Sequence, residues 1–169
     1  ASTMDAPAEP NIPLYQNFVT EGDRLLAAEQ YAKAVDAYSK AIEAISPSGN
    51  IAYAPAKHCL TSRSKCYLQL GEDVAALADA ELSLKDDPTF IKGLCAKAEA
   101  LYVRGDFEFA LVFYHRGNKL RPELPEFRLG IQKAQEAIIN AIGSTEACKL
   151  NVNPAVLQYL NQTTLQSRS

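Results

Sequence analysis

The sequence has few of the residues that build catalytic and metal sites. Its 169 residues include no tryptophan, one methionine, two histidines and four cysteines. The two histidines are far apart in the chain, and no two cysteines have CxxC spacing. The nucleotide-binding patterns GxxxxGK(S/T) and GxGxxG and the zinc-protease pattern HExxH do not occur. We therefore predict that the protein is not an enzyme and that it holds no metal or other cofactor.

Charge and hydropathy argue against nucleic acid and membrane partners. The net charge is −3, whereas a nucleic-acid-binding domain is usually basic. Residues 1–100 carry 9 Lys and Arg against 14 Asp and Glu, and residues 101–169 carry 8 against 6. This uneven charge either steers a charged partner or is scattered and solvated. No apolar run approaches the roughly 18 residues that a membrane-spanning helix needs.

Two of the four cysteines could lie side by side. Cys59 and Cys66 are seven residues apart, so a helix places both on one face. Such a pair is far more often two buried thiols than a metal or redox site, although a metal or redox site stays an open alternative. No secretory segment precedes the cysteines, and we therefore predict reduced thiols in an intracellular protein.

A repeat with a period of 34 residues organises the chain. Three pairs of landmarks recur at this distance, namely Gly71 and Gly105, Ala76 and Ala110, and Pro88 and Pro122. An earlier copy, which includes Ala34 and Tyr38, fits the same frame after an insertion of about eight residues within residues 46–57. This period and pattern resemble the tetratricopeptide repeat, in which each unit is a pair of helices, A and B.

Each landmark has a physical role in such a unit. A glycine near position 15 is expected to separate helix A from helix B in every unit. The small residue at position 20 lets the two helices approach closely, and the aromatic residue at position 24, Tyr38 or Tyr114, fills the space between units. The proline at position 32 ends helix B because it lacks an N–H group and disfavours helix just before it.

The predicted fold is all-α, a right-handed tetratricopeptide-repeat superhelix of three helix pairs and a C-terminal capping helix. The expected helices are residues 14–28, 31–45, 53–70, 73–86, 89–104, 107–120 and 124–142. The domains are then a flexible segment at 1–13, the array at 14–142 with an insertion loop at 46–57, and a tail at 143–169 with a short helix at 154–162. In the third unit, Phe109 and Phe113 lie off the core stripe and are expected to pack against the next helix.

The working surface of such an array is a groove lined by the A helices, at positions 2, 5, 9 and 12 of each unit. The mixture of polar and apolar side chains there suits a peptide or helix of another protein, or it is a solvated face without a partner. The contact residues that we predict in the groove are His58, Lys65, Lys92, Glu99 and Tyr102. On the surface of the capping helix we predict Arg128 and Lys133, which lie in the more basic part of the chain and would suit an acidic partner.

One known use of the groove can be tested on the sequence. Tetratricopeptide co-chaperones hold the acidic tails of heat-shock chaperones in a carboxylate clamp of lysine, asparagine and arginine side chains. The corresponding residues here are Val19, Asp23, Ser62, Lys92 and Ala96. Only Lys92 matches, and Asp23 would repel a carboxylate, so the sequence argues against this function.

Two segments carry a more specific resemblance. "SRSKCYLQLG" at residues 62–71, and "GDFEFALVFYHRGNKLRP" at 105–122 followed by "EFRLGIQKAQEAI" at 126–138, are similar to one family. It comprises the tetratricopeptide-repeat subunits of the outer dynein arm docking complex of motile cilia, whose N-terminal array resembles residues 14–142. We take this part of the pattern as specific because the repeat alone does not require those residues.

The resemblance implies a non-catalytic scaffold that helps to anchor outer dynein arms on doublet microtubules. The implied partners are coiled-coil docking-complex subunits, with outer-arm dynein or tubulin as further candidates, and the implied location is the cytoplasm and the ciliary axoneme. Because family members are longer, the chain is expected to be part of a longer protein. The alternative is a generic peptide-binding adaptor that works outside cilia.

Overall fold

The computed structural model of the chain describes residues 8–47, 49 and 53–143. These residues form seven α-helices and no β-strand. The helices are α1 (Ile12–Ala27), α2 (Tyr31–Ile45), α3 (Tyr53–Gln69), α4 (Asp73–Ser83), α5 (Ile91–Val103), α6 (Phe107–Leu120) and α7 (Pro125–Gly143). None of these helices is both long enough and apolar enough to cross a membrane.

Local chemistry explains where two of the helices, α1 and α7, begin. The Asn11 side chain accepts a hydrogen bond from the backbone N–H of Leu14 at 3.0 Å, which caps the first turn of α1. Pro13 lies in that first turn, and Pro125 is the first residue of α7. Proline suits these positions because the N–H group that it lacks would have no partner inside the helix.

The tight turns between paired helices need a left-handed backbone. Gly71 and Gly105 have φ angles of +78° and +87°, as expected for glycines between helices A and B. In the first pair, Glu29 takes the corresponding place with a φ of +58°. The prediction of a glycine at this turn in every unit is therefore wrong for the first unit, which keeps the same backbone shape at a steric cost.

The helices pack as consecutive antiparallel pairs stacked side by side. The pairs are α1 with α2, α3 with α4 and α5 with α6, and α7 packs against both α5 and α6. The A helices α1, α3, α5 and α7 also contact one another in that order, so they share one side of the molecule. This arrangement confirms the predicted all-α tetratricopeptide-repeat fold with three pairs and a terminal helix.

The landmark residues lie where close packing requires them. Ala34, Ala76 and Ala110 are fully buried, which confirms the small residue at position 20 of each unit. Tyr38 and Tyr114 are 0% and 1% exposed, as predicted for the aromatic residue at position 24. Each ring lies directly against a glycine, Tyr38 against Gly22 and Tyr114 against Gly130. The missing side chain of each glycine leaves room for the ring in the core.

Some predictions about packing and helix ends differ from the structure. Phe109 is 64% exposed, so the expectation that it packs against the next helix is wrong, whereas Phe113 is half-buried against the core of the third unit. Helix α3 begins at Tyr53, as predicted, whereas helix α1 begins at Ile12, two residues before its expected start. The predicted short helix at 154–162 lies outside the described residues.

Candidate protein-binding groove

The A helices build a groove on their shared side. Its cavity has a volume of about 320 Å³ and runs from α1 across α3 and α5 to the start of α7. The lining residues, which we call the groove, are Leu26, His58, Thr61, Ser62, Ser64, Lys65, Leu68, Lys92, Cys95, Ala96, Glu99 and Glu126. The groove therefore combines apolar side chains with charges of both signs.

Four of the predicted contact residues meet in this groove. His58 and Lys65 come from α3, whereas Lys92 and Glu99 come from α5. They converge because equivalent positions of successive A helices face the same side of a repeat array. Of the other groove positions expected from the period, Asp23 contacts His58 without lining the cavity itself.

Tyr102 and Lys133 lie close to each other, and neither lines the groove cavity. The Lys133 ammonium lies 4.5 Å from the centroid of the Tyr102 ring and 5.8 Å from that of Tyr114. Both distances are within the range of cation–π attraction, which is worth about 0.5–1 kcal/mol at an exposed site. Lys133 is exposed on α7 and faces Tyr102, and its role as a contact residue of the capping-helix surface stays a prediction. Arg128 is exposed elsewhere on α7 and lines no described cavity.

An aspartate and a histidine bridge the first two units beside the groove. The His58 Nε2 atom lies 2.8 Å from Asp23 Oδ1, and the same carboxylate oxygen accepts a hydrogen bond from the Tyr38 hydroxyl at 2.6 Å. Asp23 therefore joins α1 to α2 and α3. Its charge is held by two neighbours inside the protein, which leaves it less available to a partner.

Several charges of the groove have no such neighbour. Lys65 and Lys92 are exposed and form no ion pair within the described residues. The Glu99 carboxylate accepts a hydrogen bond from the Cys95 thiol at 3.8 Å and forms no ion pair within the described residues. These side chains can pair with charges of a bound segment without first breaking a contact inside the chain.

Sequence analysis missed some of the groove. Ser64 and Glu126 also line it, as do Ser62 and Ala96, which the sequence placed only at the positions of a carboxylate clamp. Glu126 could have been found, because it follows Lys92 by one period of 34 residues and so takes the same position on α7.

A second cavity opens at the end of the groove where the loops lie. Its volume is about 630 Å³, and it lies between the start of α5 and the loop from α6 to α7. Its lining residues, which we call the loop cleft, are Asp87, Thr89, Phe90, Ile91, Lys92, Cys95, Arg121, Leu124, Glu126 and Phe127. The loop cleft shares Lys92, Cys95 and Glu126 with the groove, so the two cavities adjoin each other.

The described cysteines are poor candidates for a metal or redox site. Cys59 and Cys66 are fully buried, and burial raises the pKa of each thiol to about 11. Burial, followed by the charge of Glu99, raises the pKa of the Cys95 thiol to about 12. At neutral pH these thiols stay protonated, whereas metal binding and nucleophilic attack need the thiolate. Among the described residues, no three His, Cys, Asp or Glu side chains lie close enough together to hold a metal ion.

Comparisons with known proteins agree with the fold and show which proteins are similar to the chain in sequence. No protein-family model matches the chain. The chain is 49% identical over 148 residues to outer dynein arm-docking complex subunit 4 of Mus musculus, an alignment that covers 88% of this chain and 22% of that protein. The subunit of the same name in Danio rerio is 52% identical over 147 residues, which cover 87% of this chain and 28% of that protein.

A solved structure shows the same fold at lower identity. The first tetratricopeptide-repeat domain of Spaghetti (RPAP3), bound to the HSP90 peptide SRMEEVD, superposes with a TM-score of 0.67 at 21% identity. The match covers 77% of this chain and 97% of that domain. This similarity concerns the fold alone, whereas the curated relatives are similar in sequence. The chain spans only 20% to 28% of the length of these relatives. The chain is thus a tetratricopeptide-repeat protein that is homologous, over most of its own length, to outer dynein arm-docking complex subunit 4.

Proposed function

We propose that the chain is a non-catalytic scaffold that helps to dock outer dynein arms on axonemal doublet microtubules by binding docking-complex partners. The observation that carries the proposal is the identity of 49% over 148 residues to a protein named as a docking-complex subunit. The proposed partners are coiled-coil subunits of that complex, with outer-arm dynein or tubulin as further candidates. The proposed location is the ciliary axoneme, together with the cytoplasm where the complex would assemble.

The groove supports binding of a protein segment. Leu26 and Leu68 offer apolar surface, while Lys65, Lys92 and Glu99 present charges of both signs. Apolar contact contributes affinity through buried area, and charge complementarity selects the partner and its orientation. A helix or an extended segment of a partner, with charges opposite those of the groove, fits this combination.

A second candidate function is a generic peptide-binding adaptor outside cilia. The solved domain that resembles this chain was bound to an HSP90 peptide, which makes a chaperone tail the first peptide to consider. Only Lys92 matches the five positions of a carboxylate clamp, and Asp23 lies beside the groove in contact with His58. A negative charge at this place disfavours a terminal carboxylate, so we do not propose a co-chaperone role.

Direct binding to purified docking subunits tests the proposal. Each subunit is labelled and titrated with the 169-residue chain, and an acidic chaperone-tail peptide is titrated in parallel. We expect saturable binding to at least one docking subunit, weakened by Lys65→Glu, and much weaker binding of the tail peptide. Binding of the tail peptide alone would favour the generic adaptor, and binding of neither would contradict the groove as a docking site.

A further inference from the structure

We propose that the loop cleft is an anchor pocket for an apolar side chain of the bound partner segment, and that an acidic side chain next to this anchor pairs with Lys92. The inference rests on one part of the proposed function, namely that a segment of another protein binds in the groove. It adds what that segment must contain, an apolar residue of the size of leucine or phenylalanine with an acidic neighbour.

The position of the loop cleft is the first argument. A segment that lies in the groove would run next to the loop cleft, because Lys92, Cys95 and Glu126 line both cavities. The volume of about 630 Å³ is nearly twice that of the groove cavity and falls within the roughly 300–1,000 Å³ that is usual for ligand pockets. The larger of these two cavities is therefore the one at the loops.

The walls of the loop cleft make it an apolar site. Phe90, Ile91 and Leu124 are half-buried, so each keeps part of its apolar surface in contact with water. Phe127 is 1% exposed and gives the recess a fixed base. An apolar side chain placed here would remove this surface from water, which stabilises a complex by about 25 cal/mol for each Å² buried.

The charges around the loop cleft determine which side chain of the partner segment can lie next to its apolar anchor residue. Asp87 accepts hydrogen bonds from the backbone N–H and the hydroxyl of Thr89, and Arg121 pairs with Glu123. Lys92 is the cation of the cleft that forms no ion pair within the described residues. An acidic side chain of the partner would therefore find Lys92 available, and the exposed Lys65 further along the groove would add to the attraction.

Glu126 gives the site a direction. It lines the opposite side of the loop cleft on α7 and forms no ion pair within the described residues. A carboxylate of the partner is repelled by Glu126 and is therefore drawn to the α5 side, where Lys92 lies. The segment thus has one preferred orientation, with its apolar residue between the two walls and its acid over α5.

Peptide selection tests the inference without a known partner. Random peptides displayed on phage are selected on the 169-residue chain, and the enriched peptides are synthesised and titrated by fluorescence anisotropy. We expect the enriched peptides to share an apolar residue beside an acidic one. Replacing that apolar residue in the peptide by alanine should weaken binding at least about tenfold, which corresponds to roughly 1.4 kcal/mol.

Variants of the chain locate the binding site. Thr89→Trp fills the loop cleft from its exposed rim, and Lys92→Glu reverses the proposed partner of the acid. We expect each to weaken the enriched peptides at least about tenfold. Lys33→Glu, the same charge change at an exposed position of α2 away from both cavities, should leave the affinity unchanged. Melting curves establish that each variant is folded.

Three outcomes would overturn the inference. These are failure to enrich any binding peptide, enrichment of peptides without an apolar–acidic pair, and peptides that bind Thr89→Trp as well as they bind the unchanged chain. In the last case, loss of binding by Lys65→Glu would show that the groove binds peptides without using the loop cleft. Failure of the docking function would instead appear as loss of binding to the docking subunits, which is measured separately.

Discussion

At the scale of single residues, Glu29 adopts a backbone conformation that glycine adopts more easily. Its φ angle of +58° matches the turns formed by Gly71 and Gly105 in the next two helix pairs. A left-handed conformation costs a residue with a Cβ atom roughly 1–2 kcal/mol, while glycine loses more entropy on folding. The first helix pair therefore folds with a small strain at its turn.

Removing this strain should stabilise the protein. We expect Glu29→Gly to raise the free energy of unfolding by about 1 kcal/mol, because the steric cost exceeds the entropic cost of glycine. Urea denaturation measures the change, and Glu29→Ala is the control that keeps the Cβ atom. A stability equal to that of the Ala variant would contradict the argument.

The thiols give a second prediction at this scale. Burial raises the pKa of Cys59 and of Cys66 to about 11, so both stay protonated well above neutral pH. We expect neither thiol to react with Ellman's reagent at pH 8 in the folded chain, and both to react after unfolding in urea. Rapid reaction in the folded state, or a stoichiometric metal ion in elemental analysis, would favour the redox or metal reading instead.

At the scale of helices, α6 and α7 are joined by two reciprocal contacts between a ring and a glycine. The Phe127 ring of α7 lies against Gly117 of α6, and the Tyr114 ring of α6 lies against Gly130 of α7. A Cβ atom added at Gly117 would come within 2.0 Å of the Phe127 ring. Because Phe127 is buried, the ring has little room to move aside.

A methyl group at this contact should separate the two helices. We expect Gly117→Ala to lower the free energy of unfolding by about 1–3 kcal/mol, although alanine normally favours a helix over glycine by about 1 kcal/mol. Gly143→Ala is the matched control, since a Cβ atom there meets no atom of another helix within 4 Å among the described residues. Equal stabilities of the two variants in urea denaturation would mean that the close contact is not present in solution.

These contacts also change the interpretation of the family resemblance. The segments "FALVFYHRG" and "GIQKAQEAI" include Gly117 and Gly130, and the sequence alone gives no reason for either glycine. In the structure, both are required by the rings that pack on them. Part of what makes the segments specific is therefore the packing of α6 on α7, which a single sequence cannot reveal because it does not say which ring faces which glycine.

A buried ion pair stabilises the contact between the first two helix pairs. Arg63 of α3 donates two hydrogen bonds to Asp79 of α4, at 2.7 and 2.8 Å, and a third to the hydroxyl of Ser39 of α2 at 2.9 Å. Asp79 is 4% exposed. The pair therefore links α2, α3 and α4 through one guanidinium group.

Removing one partner of this pair should be costly. We expect Asp79→Ala to lower the free energy of unfolding by about 3–5 kcal/mol, since it leaves Arg63 half-buried without a counter-charge. The exposed Asp36→Ala is the control and should change stability by no more than about 0.5 kcal/mol. Thermal and urea unfolding measure both, and equal effects would contradict a structural role for the pair.

At the scale of the whole molecule, the repeat period explains most of what the sequence could predict. A period of 34 residues fixes both the helix pairs and the side that the A helices share, and so it brings His58, Lys65, Lys92 and Glu99 to one groove. The loop cleft could not be predicted in this way. It depends on how the loop between α6 and α7 approaches the start of α5, and loop paths follow no period.

The measurement that tests the docking proposal most directly is a pull-down from detergent extracts of motile cilia, read by mass spectrometry. The baits are the unchanged 169-residue chain, the double variant Lys65→Glu/Lys92→Glu, and Lys33→Glu as the control for charge. We predict that the unchanged chain and the control recover docking-complex subunits or outer-arm dynein chains, and that the double variant loses most of them while it keeps its melting temperature. Equal recovery by all three baits, or recovery of no axonemal protein by any of them, would contradict binding through the groove.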